Sequence, residues 1–247
     1  HCENVQSVEM GDRAAINVVG IEKDEVGRGS ELIETGRIKP TTIIIAHIQL
    51  IKGIRWELKS KQRVRIHLGT SEVLGRVTIA QKRIKSGESG NVCIRLENHL
   101  VTAMDDRFVM RSYSPMETIG GGVILDTNPK GNWKEIRHWM TDLSLKKSKR
   151  YLQFIERFWK QPKSEEEWRK IFHCSTQEFQ ELFSDKNLGV DNKMVIDLEK
   201  FNHAQKILVK RIEKYHKDVP YRKSISNDFL QKELQFSGEF LNVVITQ

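Results

Sequence analysis

Three consecutive glycines, Gly120, Gly121 and Gly122, sit inside an otherwise strand-like run, DRFVMRSYSPMETIGGGVILD at residues 106–126. Phe108 and Met110 before the turn, and Val123 and Leu125 after it, alternate with residues of the opposite face, which is the period of a β-strand. Residues 112–115 carry turn chemistry, because serine hydroxyls bond nearby backbone and proline sets its own φ. A strand that drops every Cβ over three residues marks a bulge or barrel corner, or a place where another backbone or a ligand comes very close.

The flanking sequence supports a β-rich setting. Residues 43–51, IIIAHIQLI, are dense in β-branched side chains, and residues 63–69, RVRIHLG, alternate Val64, Ile66 and Leu68 with Arg63, Arg65 and His67. Further strands are predicted at 72–79, 91–96 and 107–111, with Gly87 and Gly90 marking a turn. Short strands separated by glycine turns predict a closed antiparallel barrel. Residues 36–40, ending at Pro40, read as a connector between two β domains.

The character of the chain changes near Asn128. Before it lie 18 basic and 16 acidic residues and thirteen of the 16 glycines; from it onward there are 23 basic and 17 acidic residues in a lysine-rich, helix-like pattern. Within that second part, residues 164–183 and 226–245 repeat at an offset of 62. Ser164 aligns with Ser226, Trp168 with Leu230, Phe172 with Leu234, Ser175 with Ser237, Phe179 with Leu241 and Phe183 with Ile245. Serine at each helix start, with Glu167 and Glu178 three residues on, predicts capping boxes, and apolar residues four apart share one helix face. An amphipathic helix precedes each pair: 147–160 burying Leu152, Ile155 and Trp159, and 199–216 burying Ala204, Leu208 and Ile212. Two short strands around Asp191-Asn192 form a candidate wing hairpin, so the pattern predicts tandem winged-helix units. The second unit ends before a wing, and Phe229, Leu234, Phe240 and Leu241 are expected to be left without apolar cover.

With 247 residues the chain has room for two or three domains, and 38% hydrophobic with 30% charged residues reads as a soluble protein. No apolar run approaches the ~20 residues that cross a bilayer. Cys2, Cys93 and Cys174 show no metal or disulfide spacing, which points to a reducing cytoplasm. The amino terminus, HCENVQSVEMGD, has neither an initiating methionine nor a secretory signal, and the chain reads as a piece of something longer. A formal charge of +8 favours a polyanionic partner. There is no G-x-x-x-x-G-K-[S/T] phosphate loop, so GTP binding by this stretch alone is not expected. Spacing supports no nucleophilic triad, carboxylate pair or metal cluster; His67, His99 and Cys93 are isolated, and Glu165, Glu166 and Glu167 are first-turn acids that complement a helix dipole.

Residues 10–32, MGDRAAINVVGIEKDEVGRGSEL, resemble the end of the second domain of the elongation factor Tu family, through Gly11-Asp12, Gly20 and Arg28-Gly29. Followed in order by Lys39-Pro40-Thr41, RVRIHLGTSEVLGRV and DRFVMRSYSPMETIGGG, they resemble selenocysteine-specific elongation factors (SelB) in particular. The resemblance implies a multidomain β-then-α architecture: 1–37 as the end of the domain-two barrel, 38–127 as a barrel like domain three of elongation factor Tu, 128–200 as a first winged-helix domain and 201–247 as part of a second. It also implies a parent GTPase that uses GTP and Mg, carries selenocysteyl-tRNA to the ribosome at recoded UGA codons, and binds an mRNA hairpin through its last winged helices. Those helices are not matched here, and no cofactor is expected in this stretch.

By position, the resemblance implies tRNA contacts at Arg65, His67, Arg111 and Ser112, while the residues alone equally allow a solvated strand face. Arg13 stands where elongation factor Tu has an asparagine near the aminoacyl ester, and a guanidinium there would favour the anionic selenocysteine over serine. A surface pairing of Arg13 with Asp12 or Glu9 is the alternative. His1 has the spacing of a histidine lining the same pocket. A different class of function, a winged-helix DNA-binding regulator with a barrel effector domain, is weakened by STQEFQELF at 175–183, which offers two glutamates and no cation to DNA. A general elongation or initiation factor is disfavoured by the winged-helix pattern and Arg13.

Overall fold

The computed structural model describes residues 5–9, 11–36, 38–182 and 188–246. Within residues 5–36 the described backbone is extended or turn-like, with a single 3-10 turn at Lys23–Glu25. Six strands follow: β1 Thr41–Leu50, β2 Arg63–Leu68, β3 Ser71–Ile79, β4 Ser89–Leu100, β5 Arg107–Ser112 and β6 Thr118–Asp126. They close, all antiparallel, in the order β1-β4-β3-β2-β5-β6. The interior is filled by alternate residues of every strand, among them Ile44, Ile48, Val64, Ile66, Val77, Ile94, Phe108, Met110 and Ile124.

The glycine triplet closes this barrel. A Cβ on Gly120 would strike the Gln49 carbonyl, one on Gly121 would lie 2.8 Å from the Phe108 carbonyl, and one on Gly122 would lie 2.5 Å from that of His47 and 2.8 Å from the Phe108 ring. β6 is therefore pressed between β1 and β5, and the close partner is backbone. Both faces of β6 end up covered: Ile124 points into the barrel, whereas Leu125 packs outward against the helices.

The helices are α1 Trp133–Asp142, α2 Lys147–Arg157, α3 Glu165–Phe172 and α4 Thr176–Gln180; a hairpin of β7 Leu188–Asp191 and β8 Met194–Asp197 follows; then come α5 Leu198–Asp218, α6 Asn227–Leu234 and α7 Gly238–Thr246. The first of these, α1, carries no part of the repeat. Its Trp139 and Met140, with Tyr151, Phe154, Phe172 and Phe179 from the next three helices, share a core with Ile45, Cys93 and Leu125 on the outside of the barrel. A continuous apolar cluster thus crosses the composition change at Asn128.

Polar anchors hold that contact. Asp126, 4% exposed, accepts from the Trp139 indole N–H at 2.9 Å and from the Asn128 backbone N–H at 2.8 Å. Asn91 donates to the carbonyls of Met140 and Leu143, both at 2.8 Å. Arg150, fully buried, pairs with Asp105 and donates to the carbonyls of Ser144 at 3.0 Å and Leu145 at 2.9 Å. Burial lifts the Cys93 thiol to about 11, so it stays protonated in the wall.

The repeat is visible in backbone detail. Ser164, Ser175 and Ser226 cap their helices by accepting from Glu167, Glu178 and Phe229 N–H groups, and the hydroxyl of Ser237 accepts from Phe240 N–H. Helix α3 ends on His173 at φ 49° and α6 on Gln235 at φ 60°, the same left-handed cap at the same offset. Trp168 and Leu230, Phe172 and Leu234, and Phe179 and Leu241 are buried pairwise, while Ile245 is exposed and Phe183 lies outside the described residues.

The exposed apolar surface expected on the second copy is not found. Leu234, Phe240 and Leu241 are buried and Phe229 is half-buried, because Met194, Ile196 and Phe201 cover them and Trp159 reaches across from the end of α2. Strand β8 is shared: Val195 packs into the first helical core, while Met194 and Ile196 pack into the second.

Candidate nucleic-acid interface

Alternation along β2 sends Val64, Ile66 and Leu68 into the barrel and leaves Arg63, Arg65 and His67 outside; along β5, Phe108 and Met110 point in while Arg107, Val109 and Arg111 point out. The antiparallel register sets Arg65 opposite Arg111, His67 opposite Val109 and opposite Glu72 of β3, and Arg63 opposite Arg76. Opposed side chains on neighbouring strands have Cβ atoms about 5 Å apart, so three of the four tRNA candidates named from sequence fall on or beside one patch.

The patch holds its own counter-ions. Arg63 makes a two-pronged contact with Glu97, Nε donating at 2.8 Å, and Arg65 pairs with Glu72, whose second oxygen lies 3.9 Å from His67 Nδ1. The hydrogen bond from Arg65 holds the Glu72 carboxyl below the usual carboxylate range, and that from Arg63 does the same for Glu97. Among the described residues Arg111 bonds only the Met116 carbonyl, at 3.5 Å. Arg65 Nε, His67 Nε2 and Arg111 Nε are buried without any partner, three of the seven such side-chain atoms among the described residues. Orphaned buried polar atoms are costly, at about 1–3 kcal/mol each, and three of them lie under this one face.

Two residues were not assigned to this patch from sequence. Tyr113 follows Arg111 by one strand period; its half-exposed ring lies 4.4 Å from the guanidinium of Arg63 and 5.4 Å from that of Arg65. Arg28 acts electrostatically on Glu72, because the neighbouring Gly29, at φ +94°, lies against β3 where the Ser71 hydroxyl donates to its carbonyl at 3.0 Å. The Arg-Gly pair was legible as a turn, but its docking on β3 depends on tertiary contact.

Ser112 has a different place from the one its position implies. It is fully buried; its hydroxyl donates to the Pro115 carbonyl and accepts from Glu117 N–H at 3.0 Å. It fixes the 112–117 turn that presents Tyr113 and is not exposed to a ligand. Arg13 is exposed, and the Asp12 carboxylate accepts from Glu9 N–H at 2.9 Å instead of serving Arg13. No hydrogen bond or ion pair among the described residues joins Arg13 to the barrel patch. His1 lies outside the described residues. Of the other basic residues near β2 in sequence, Arg83 pairs with Glu57 at 3.0 Å in the β3–β4 loop.

Among the described residues no cluster of His, Cys, Asp and Glu could hold a metal, and no helix is long and apolar enough to cross a membrane. The arrangement is suited to binding an anionic chain. It contains no nucleophile and base in reach of one another.

Residues 43–131, the barrel and the turn after it, match the family model described as "Selenocysteine-specific elongation factor, beta-barrel domain". Over those residues the barrel is similar to the SelB barrel domain, and the chain is SelB-like. A stretch of 144 residues is 26% identical to the selenocysteine-specific elongation factor of Desulfomicrobium baculatum, covering 58% of this chain and 22% of that relative's length. In this SelB-like chain the basic patch lies wholly on the matched barrel, apart from Arg28.

Proposed function

We propose that this chain is part of a selenocysteine-specific translation elongation factor, one that delivers selenocysteyl-tRNA to the ribosome at recoded UGA codons in a GTP-dependent manner. The observation that carries the reading is the convergence of Arg65, His67 and Arg111 on the outer face of a barrel that matches the SelB barrel domain. Phosphate oxygens of a tRNA stem would take the outward ends of these side chains, and guanidinium groups suit them because their donors are planar and permanently charged. Binding would exchange Glu72 for phosphate at Arg65, with Tyr113 offering a flat face to sugar or base. Arg13, at its exposed position, would select the selenolate by charge, and GTP with Mg would act through another part of the factor.

The reading extends to the helices. Paired capping serines, matching left-handed caps and the β7–β8 hairpin support two winged-helix units, with domains at 38–127, 128–200 and 201–247 and residues 1–37 closing a domain-two barrel. A DNA-binding regulator gains nothing from α4, whose Glu178 is occupied in capping and in a 3.1 Å pair with Lys147.

The test is tRNA binding across a salt series with Arg65→Ala and Arg111→Ala. Each substitution should weaken binding and lower the slope of log K against log salt by about 1. Unchanged affinity and slope in both would remove the barrel face from tRNA binding.

A further inference from the structure

Helix α5 has a face that neither the barrel site nor the packing of the helical units uses. Phe201, Ala204 and Leu208 bury one side of it, while Lys206, Lys210, Lys214 and Lys217 are exposed and recur at helical spacing on the other, over about 16 Å of helix. Among the described residues the ion pairs of this helix fall elsewhere: Lys200 with Glu156 at 3.0 Å and Arg211 with Glu233 at 2.9 Å. Among the described residues those four lysines have no carboxylate partner, and Glu199 and Glu213 are the acids of the helix nearest their arc.

A second, independent feature lies at the end of the same helix. Tyr221 is 82% exposed, so its ring forgoes the burial that an aromatic side chain of its size normally gains. Its loop is fastened to the last turn of α5: His216 Nδ1 donates to the Arg222 carbonyl at 3.1 Å, Arg222 Nη1 reaches the Tyr215 hydroxyl at 3.5 Å, and Arg222 N–H bonds the Val219 carbonyl at 3.1 Å. Tyr221 and exposed Lys223 are thereby held at the carboxy-terminal end of α5, just beyond the last lysine of the row, Lys217.

We infer that the α5 lysine face and Tyr221 form a second RNA-binding surface, separate from the barrel patch, for a single-stranded stretch of RNA. Lysines three and four residues apart track a phosphate backbone, and an exposed ring just beyond the end of their row gives one base a stacking platform; together these are the parts of a sequence-tolerant single-strand site. An acidic peptide would use the cations and leave Tyr221 without a role. The choice of RNA over DNA rests on the proposed function; the site itself does not.

The test uses the full chain and a labelled, unstructured RNA of about 12 nucleotides, followed by fluorescence anisotropy across a salt series. Tyr221→Ala should weaken binding about tenfold, and the Lys210→Gln, Lys214→Gln, Lys217→Gln variant should lower the salt slope by about 2. All these side chains are exposed, and unchanged thermal unfolding would confirm that the variants fold. Arg65→Ala with Arg111→Ala should leave oligomer binding intact even where it abolishes tRNA binding, which separates this inference from the barrel reading. Absence of binding, or binding that these α5 variants leave untouched, overturns the inference. Loss through the barrel variants alone overturns it too, as does capture of anionic vesicles in place of RNA; equal affinity for DNA of the same length overturns RNA as the partner.

Discussion

Arg65 and Arg111 face each other across the β2–β5 ladder, where like charges repel unless an anion stands between or beside them. Glu72 supplies that anion for Arg65 and leaves Arg111 with one long bond to a carbonyl. Glu72→Gln should therefore free Arg65 for phosphate: tRNA affinity is expected to rise a few-fold, with a steeper salt dependence, and equilibrium binding in a salt titration checks it. Asp126 gives a second residue-level expectation. Burial raises its carboxyl above the usual carboxylate range, against the lowering effects of Asn128 N–H and the Trp139 indole. A carboxyl raised in the folded state lends stability that is full below its unfolded pKa of about 4 and is lost as pH climbs through the folded value. Thermal stability should accordingly fall as pH rises through that window, and Asp126→Asn, which keeps an acceptor for Trp139, should flatten the slope.

Among the elements, β6 owes its place to the glycines. Gly122→Ala puts a methyl group against the His47 carbonyl and the Phe108 ring, and a cost on the order of 4 kcal/mol is expected, read as a fall in the denaturant midpoint with unchanged m. Period-2 alternation made β2 and β5 legible in the sequence, and with them the outward Arg65, His67 and Arg111. Helical spacing made the 62-residue repeat legible, down to its capping serines. Alternation could not say that β8 would be buried on both sides, with Val195 in one core and Met194 and Ile196 in the next, since that depends on which helices flank it. For the same reason the second helical copy was expected to be uncovered and is packed. Ser112 was read from its position beside Arg111, but inward alternation on β5 was the signal that would have placed it inside.

At the scale of the molecule, the barrel and the helices meet over a shared core in which a fully buried arginine reaches a loop carboxylate. Arg150 and Asp105 join α2 to the β4–β5 loop, and the Tyr151 hydroxyl bonds both Asp105 at 3.2 Å and the Phe172 carbonyl at 2.9 Å. Composition marked a change at Asn128 because residue usage follows secondary structure; it carries no signal of two units packing together. Asp105→Asn keeps an acceptor and suits the residue's positive φ while stranding the Arg150 charge, so it should cost about 3–5 kcal/mol. Its effect should appear in the unfolding of barrel and helices together, with amide exchange rising in β4 and α2 alike; exchange rising in α2 alone would show that the two unfold separately.

The central claim is selenocysteine-specific delivery, and its most direct test is equilibrium binding, with GTP present, of selenocysteyl-tRNA against seryl-tRNA on the same tRNA body by the intact factor, wild type and Arg13→Ala. The account predicts preference for the selenocysteyl form that shrinks toward unity in the variant. Equal binding of the two by the wild type would contradict it.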